Sequence, residues 1–391
     1  MTESAGELLR LVRAGRASTR SDLRRLTGMS RTAVVTRVDT LLRAGLLLPG
    51  REEASTGGRP PGSLVFNRTA GVVLAAAVGR SRTQLAVLDL TGAELACDEA
   101  DHEAGAGPAT VMPDVVERLR GLLAAVPGEA PVLGVGLSLP GSIDPALGIS
   151  VDSPVVSGWD GVELAPYLEQ VTRAPLWVGN DADVLALSEL LGHARTYDDL
   201  LVVKASTGLG LGIVVGGEVV RGALGGAGEI GHTPAVTAPD GGADAGLPCR
   251  CGRTGCLETV AAGWALVAER AARGRPVEHV RELVRLAQVG EAEARGLLRE
   301  SGRRLGETLA LAITLLNPSA VVVGGDMAGA YDTYLAGLRE SVYARSTALA
   351  TRDLVFLPST YGDRAGVVGC GAMALEGALA PEAVDAWLTT G

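Results

Sequence analysis

Apolar residues recur at helical spacing from the start of the chain. Leu8, Leu9, Leu11 and Val12 share one side of a short amphipathic stretch, Ala5 to Ala14, that Gly15 ends. Thr19 and Asp22 have the spacing of a capping box, and the helix they open turns Leu23 and Leu26 inward before Gly28 stops it. Ser30 is placed to cap a third helix, whose apolar positions Val34, Val38, Leu41 and Leu42 follow i, i+4, i+7, i+8 spacing. Two strand-like segments come next, Gly45–Leu48 and Leu64–Asn67, around a polar loop from Ser55 to Pro61. Helices joined through Thr27-Gly28-Met29 and followed by a strand pair predict a winged helix-turn-helix over residues 1–70. Such a head sends its third helix into a major groove N-terminus first, so Arg20, Ser30, Arg31, Thr32, Thr36 and Arg37 are candidate DNA contacts. Arg59, among the small residues of Gly57-Gly58-Arg59-Pro60-Pro61, suits a narrow minor groove, although the same loop also reads as a linker.

Beyond residue 70 strands and helices alternate. Val72–Val78 with Thr83–Asp89, and Leu200–Ala205 with Leu209–Val215, read as two hairpins about 130 residues apart. Further strands are expected at Val132–Ser138, Leu176–Gly179, Val321–Val323 and Leu354–Leu357, with a helix over Gly302–Leu316. The repeated start predicts a duplicated α/β unit with a ligand crevice between its copies.

Charge sharpens the division. Residues 1–70 hold 12 arginines against 6 acids, whereas the remainder holds 23 bases against 39 acids, so the net charge of −10 hides a basic head on an acidic body. A length of 391 residues calls for two or three domains. Aromatic residues are only 3% of the chain, which argues against a base-stacking single-strand binder. No apolar run reaches roughly 18 residues and the N-terminus lacks a signal-peptide core, so a cytoplasmic protein without membrane contact is expected.

Two motifs carry candidate chemistry. Thr207 to Glu218 is rich in closely spaced glycines, which let backbone N–H groups approach a ligand or phosphate. Cys249-Arg250-Cys251-Gly252-Arg253-Thr254-Gly255-Cys256 places three of the five cysteines within eight residues. That spacing reads as a metal knuckle, with His232 as the fourth ligand of a structural Zn²⁺ site. Cys97 and Cys370 stand apart and read as core residues.

Gly228-Glu229-Ile230-Gly231-His232, followed by the cysteine segment and Leu257-Glu258, resembles the ROK family, named for repressors, open reading frames and kinases. Leu139 to Asp144, Ser157-Gly158-Trp159, Asn180 to Asp183, Asn317-Pro318 through Gly325, and Gly369 to Ala372 extend the resemblance over nearly the whole chain. It implies an α/β body of the actin/hexokinase-like (ribonuclease H-like) fold, two-lobed, with a monosaccharide in the cleft. It also implies sugar contacts from Asn180, Asp181, Glu229, His232 and Glu258, and zinc on His232, Cys249, Cys251 and Cys256. The first lobe is expected over 71–180, completed by a C-terminal helix at 366–391. The second, with the zinc loop and a dimerisation surface, is expected over 181–365.

Kinases of this family open the body with an Asp-x-Gly-Gly-Thr-like phosphate motif, which here reads Ala77-Val78-Gly79-Arg80-Ser81. Alanine cannot help to manage Mg²⁺ and a transferred phosphate. Asp181, the family's candidate base, is retained as a vestige. A second departure is Ser153-Pro154-Val155-Val156, where kinases often carry Asn, and a third is the long Gly/Ala/Asp-rich stretch Val236–Gly246, expected as a surface insertion. The expectation is a non-catalytic, sugar-responsive transcriptional regulator, chiefly a repressor of carbohydrate genes. It would bind a palindromic double-stranded DNA operator as a homodimer or homotetramer. The alternatives are an ATP-dependent sugar kinase with an appended head, and a scaffold that answers to a phosphotransfer protein.

Overall fold

The structure, a computed structural model, describes residues 4–50, 62–144, 147–151, 158–235 and 246–390. Arg59 and its loop, Ser153–Val156 and most of Val236–Gly246 lie outside the described residues. In the head, α1 (Ala5–Arg13) is capped by Ser4, and α2 (Arg20–Thr27) by the full Thr19–Asp22 box before Gly28 ends it at φ +75°. Helix α3 (Arg31–Arg43) is capped by the Ser30 hydroxyl, which accepts from the Ala33 N–H at 3.2 Å. Each such cap contributes about 1 kcal/mol. Strands β1 (Leu47–Pro49) and β2 (Leu64–Phe66) pair antiparallel beside the helices.

The body repeats one sheet topology. Its first sheet contains β3 (Val72–Val78), β4 (Arg82–Asp89), β5 (Glu94–Asp101), β6 (Val132–Leu139) and β9 (Leu176–Asn180). The order is β5-β4-β3-β6-β9, with β3, β6 and β9 parallel. Helix α4 (Pro108–Ala125) follows β5, while the small pair β7 (Ile143–Asp144) and β8 (Ile149–Ser150) and the short α5 (Ala165–Leu168) precede β9. After α6 (Asp181–Leu190), the second sheet runs β12-β11-β10-β13-β14 from β10 (Leu200–Ala205), β11 (Leu209–Val215), β12 (Glu218–Val219), β13 (Ala320–Gly324) and β14 (Val355–Pro358). Each sheet is thus a three-strand antiparallel meander whose first strand also pairs parallel with a fourth. The duplication expected from the two hairpins is present.

Helices layer the sheets. Between β12 and β13 lie α7 (Glu258–Ala261), α8 (Gly263–Ala272), α9 (Val280–Gln288) and α10 (Ala292–Leu316); α11 (Tyr331–Arg345) and α12 (Ala348–Thr351) precede β14. The chain ends in α13 (Ala365–Ala378) and α14 (Pro381–Thr390). Residues from α4 pack on one face of the first sheet and α13 on the other, while α9, α10 and α11 cover the outer face of the second. Helices α6 and α13 pack on each other between the sheets, closely enough that a Cβ on Gly369 would fall on the Val184 carbonyl.

Three expectations need correction. The C-terminal helix at 366–391 is two helices, bent by 59°, because α14 turns away from the body to pack on α1 of the head. Accordingly one buried cluster runs without a break from Leu8, Leu23 and Val34 through Leu379 and Val384 to Cys370 and Val73. Cys370 is fully buried, but Cys97 is exposed, since β5 is an edge strand with no buried position. The predicted helix at Gly302–Leu316 starts ten residues earlier, at Ala292. No single helix among the described residues is long and apolar enough to cross a membrane.

Candidate functional site

A cleft opens where the parallel strands of both sheets end, the place where α/β folds bind ligands. Its walls include Ala77 at the end of β3, Ser138 of β6, Asn180 of β9, Lys204 of β10 and Asp326 after β13. All five residues expected at a sugar, Asn180, Asp181, Glu229, His232 and Glu258, line this one cavity. Asn180 caps α6, its Oδ1 accepting from the Ala182 and Asp183 N–H groups, while its Nδ2 donates to the Gly141 carbonyl at 2.6 Å. Asp181, the first residue of α6, receives Lys204 Nζ at 2.7 Å. Glu229 reaches across from the second lobe and accepts from Ser142 Oγ at 3.1 Å in the first. Burial pushes its carboxyl above the usual range, against the lowering pull of Ser142 and His232.

Glu258 is 4% exposed, and each of its oxygens already accepts a bond: Oε1 from the Leu209 N–H at 2.7 Å and Oε2 from Trp264 Nε1 at 3.2 Å. It therefore ties the cysteine segment to the glycine-rich hairpin. Glycines of that hairpin also admit α6: a Cβ at Gly210 would lie 2.7 Å from Ala182 Cβ, and one at Gly212 would lie 2.6 Å from Ala186 Cβ. Close helix packing is thus one reason for this glycine run.

The end of the cleft nearest the phosphate motif is bridged by protein groups. His279 Nδ1 accepts from the Arg281 N–H at 3.1 Å, which leaves Nε2 as the donor in the neutral ring. Nε2 lies 3.1 Å from Ser81 Oγ of the first lobe and 3.2 Å from Thr207 Oγ1 of the second. Burial, then Arg281, lowers the His279 pKa below its ordinary value. Beside it Arg281 pairs with Asp101 at 2.8 Å, again across the lobes. Ala77 turns its methyl toward the first turn of α13, where a Cβ on Gly366 would meet it at 3.3 Å.

His232, Cys249, Cys251 and Cys256 meet, their ligand atoms all within 4.8 Å of one another. Cys249 Sγ is 3.6 Å from His232 Nδ1, and Cys251 Sγ is 3.6 Å from Cys256 Sγ. Tetrahedral metal–sulfur bonds of about 2.3 Å put sulfurs roughly 3.8 Å apart, so the cluster has the dimensions of a metal centre. Burial, then the neighbouring sulfurs, push the Cys256 thiol up to about 12. Burial opposes ionisation of Cys251 too, but hydrogen bonds from Arg253, Cys249 and Cys256 together outweigh it and bring that thiol down to about 6. Three crowded thiols resist shedding their protons together, and a bound dication would let them do so.

In the head, Arg31, Thr32 and Thr36 are exposed along α3, with Arg37 half-buried beside its own helix. Arg20 stands apart from that row because it is paired with Asp39 of α3 at 3.0 Å, where it braces α2 against α3. The residues that sequence reasoning missed lie in the cleft. Lys204 has a visible signal, a lysine ending the apolar run Leu-Leu-Val-Val, and Ser142 lies within the Leu139–Asp144 motif, whereas His279 has none in its own neighbourhood.

The model of the ROK family matches residues 73–377. The xylose repressor of Bacillus subtilis (strain 168) is 26% identical over 364 residues, 91% of each chain. Among solved structures, a ROK family transcriptional regulator that is a homologue of the Escherichia coli MLC protein has a TM-score of 0.78 at 25% identity, covering 99% of this chain and 98% of that one. A ROK family glucokinase from Streptomyces griseus, in complex with glucose and AMPPNP, has a TM-score of 0.63 at 27% identity and covers 78% and 99%. The family match begins just past the head, and the chain belongs to the ROK family, in the form that carries a helix-turn-helix head and regulates transcription.

Proposed function

We propose that this chain represses carbohydrate-metabolism genes by binding DNA through α3, and that a monosaccharide in the interlobe cleft controls this binding. The observation that carries the reading is the physical continuity of cleft and head. Ala365 and Gly366, at the start of α13, line the cleft, and α14, which follows α13, packs on α1. A change in lobe closure around a sugar would move α13, and with it the head. In a dimer or tetramer this alters the spacing of two recognition helices on a palindromic operator, with half-sites about one or two helical turns apart.

Zinc is the proposed occupant of the cluster formed by His232, Cys249, Cys251 and Cys256. It would serve structurally, fixing His232 and the adjoining Glu258 at the cleft wall. The body is proposed to bind sugar without phosphorylating it. Ala77 has no carboxylate for Mg²⁺, and beside it the hydroxyls of Ser81 and Thr207 are both engaged by His279 Nε2.

The test is fluorescence anisotropy with the upstream region of the protein's own gene, with and without xylose, glucose, mannose or N-acetylglucosamine. Specific binding that one sugar changes is expected. Absence of specific binding under every condition overturns the reading. Asp181 and the likeness to the Streptomyces griseus glucokinase favour a second reading, a sugar kinase with an added head. Formation of a sugar phosphate from ATP by the purified protein would establish it.

A further inference from the structure

Lys204 is the fifth residue of β10, between the buried Val203 and Ala205. Its side chain is 22% exposed, that of Asp181 is 19% exposed, and the two meet at 2.7 Å on the cleft wall. Burial works against a charged lysine. Asp181, with Asp326 and Glu258 farther away, outweighs burial and holds the Lys204 pKa above its ordinary value. The carboxylate also begins α6, whose N-terminal N–H groups favour an anion. A hydroxyl that reaches this point of the cleft therefore meets an acceptor and a charged donor side by side.

We propose that Lys204 is a positioning and specificity-determining residue of the sugar cleft: it orients Asp181 as an acceptor for one sugar hydroxyl and itself donates to that hydroxyl. The pair suits a hydroxyl of an uncharged monosaccharide, because one hydroxyl can donate to the carboxylate and accept from the ammonium together. It also opposes the chemistry of a kinase. Moving the hydroxyl proton onto Asp181 would leave the Lys204 ammonium uncompensated in a half-buried place, and donation to the hydroxyl oxygen weakens it as a nucleophile. Lys204 is thus a second obstacle to phosphoryl transfer, independent of Ala77. This inference rests on the sugar-binding reading above.

Isothermal titration of the full chain with the four monosaccharides named above tests it, using wild type, Lys204→Met, Asp181→Asn and the double variant. Melting curves establish that each variant is folded, and Lys204→Gln replaces Lys204→Met if the latter is not. Lys204→Met should weaken binding at least about tenfold. The double variant should lose less affinity than the two single losses combined, since the lysine acts partly through the carboxylate. A purely structural lysine would lower the melting temperature and leave the affinity of the folded protein unchanged. Binding by Lys204→Met within about twofold of wild type, or losses that simply add in the double variant, would overturn the inference while the sugar reading stands. Failure of wild type to bind any of these sugars would overturn both.

Discussion

The backbone N–H of Gly6 donates to Asp385 Oδ1 at 2.8 Å, joining the second residue of α1 to α14 across 379 positions of sequence. Behind it Gly6 has no room for a side chain, because a Cβ would fall on the Pro381 carbonyl. Head and body are therefore fastened where the chain begins and ends.

Asp385→Ala removes this acceptor and should cost about 1–2 kcal/mol locally. Hydrogen exchange should become faster in α1 while the protection of β3 and β10 is kept, and the sugar-dependent change in operator affinity should shrink. Gly6→Ala should do the same more strongly. Unchanged exchange in α1 in both variants would show that α14 does not hold the head.

Cys251→Ser removes one of four ligands from the cluster. Metal analysis should fall from about one zinc per chain toward zero, with a lower melting temperature, since the binding free energy of a structural metal is folding free energy. Sugar affinity should fall with it, because His232 and Glu258 lose their support at the cleft. Equal zinc in variant and wild type would contradict the ligand set.

Arg37→Ala should weaken operator binding by about 1–3 kcal/mol if Arg37 reads a base, and should relax preference at one position in each half-site. The same change at Arg31 should weaken binding to all sequences and lower its salt dependence if Arg31 contacts phosphate. Titration with sugar should be unaffected in both. A parallel loss of sugar affinity would point to misfolding instead.

Asp183, 5% exposed on α6, offers a pH test. Burial raises its pKa from 3.8 to about 7 in spite of Arg221. The folded protein then binds this proton more tightly than the unfolded chain, so the stabilising proton is held fully below pH 4 and is lost as pH rises to 7. A shift of that size corresponds to a cost on the order of 4 kcal/mol above pH 7. Asp183→Asn, which resembles the protonated acid, should raise the melting temperature at pH 8 and change it little at pH 4. An equal change at both values would place the titration elsewhere.

Much of this protein was decided by neighbours in sequence. The Thr19–Asp22 box, the Ser30 cap and the periodicity of Val34, Val38 and Leu41 join residues a few positions apart, so the helix-turn-helix could be read from the chain alone. The cysteine spacing is equally local, and the two hairpins announced the repeated sheet. Tertiary structure alone decided which residues face one another across the layers. Ser142 meets Glu229 from 87 positions away, His279 joins Ser81 to Thr207, and Cys97 is exposed because β5 has a neighbour on one side only. No periodicity records such pairs, because they arise when two lobes and a terminal helix close on each other. The head looked separable by charge and pattern, but Leu8 and Val384 share a core, since α1 and the end of the chain bury their apolar faces on each other.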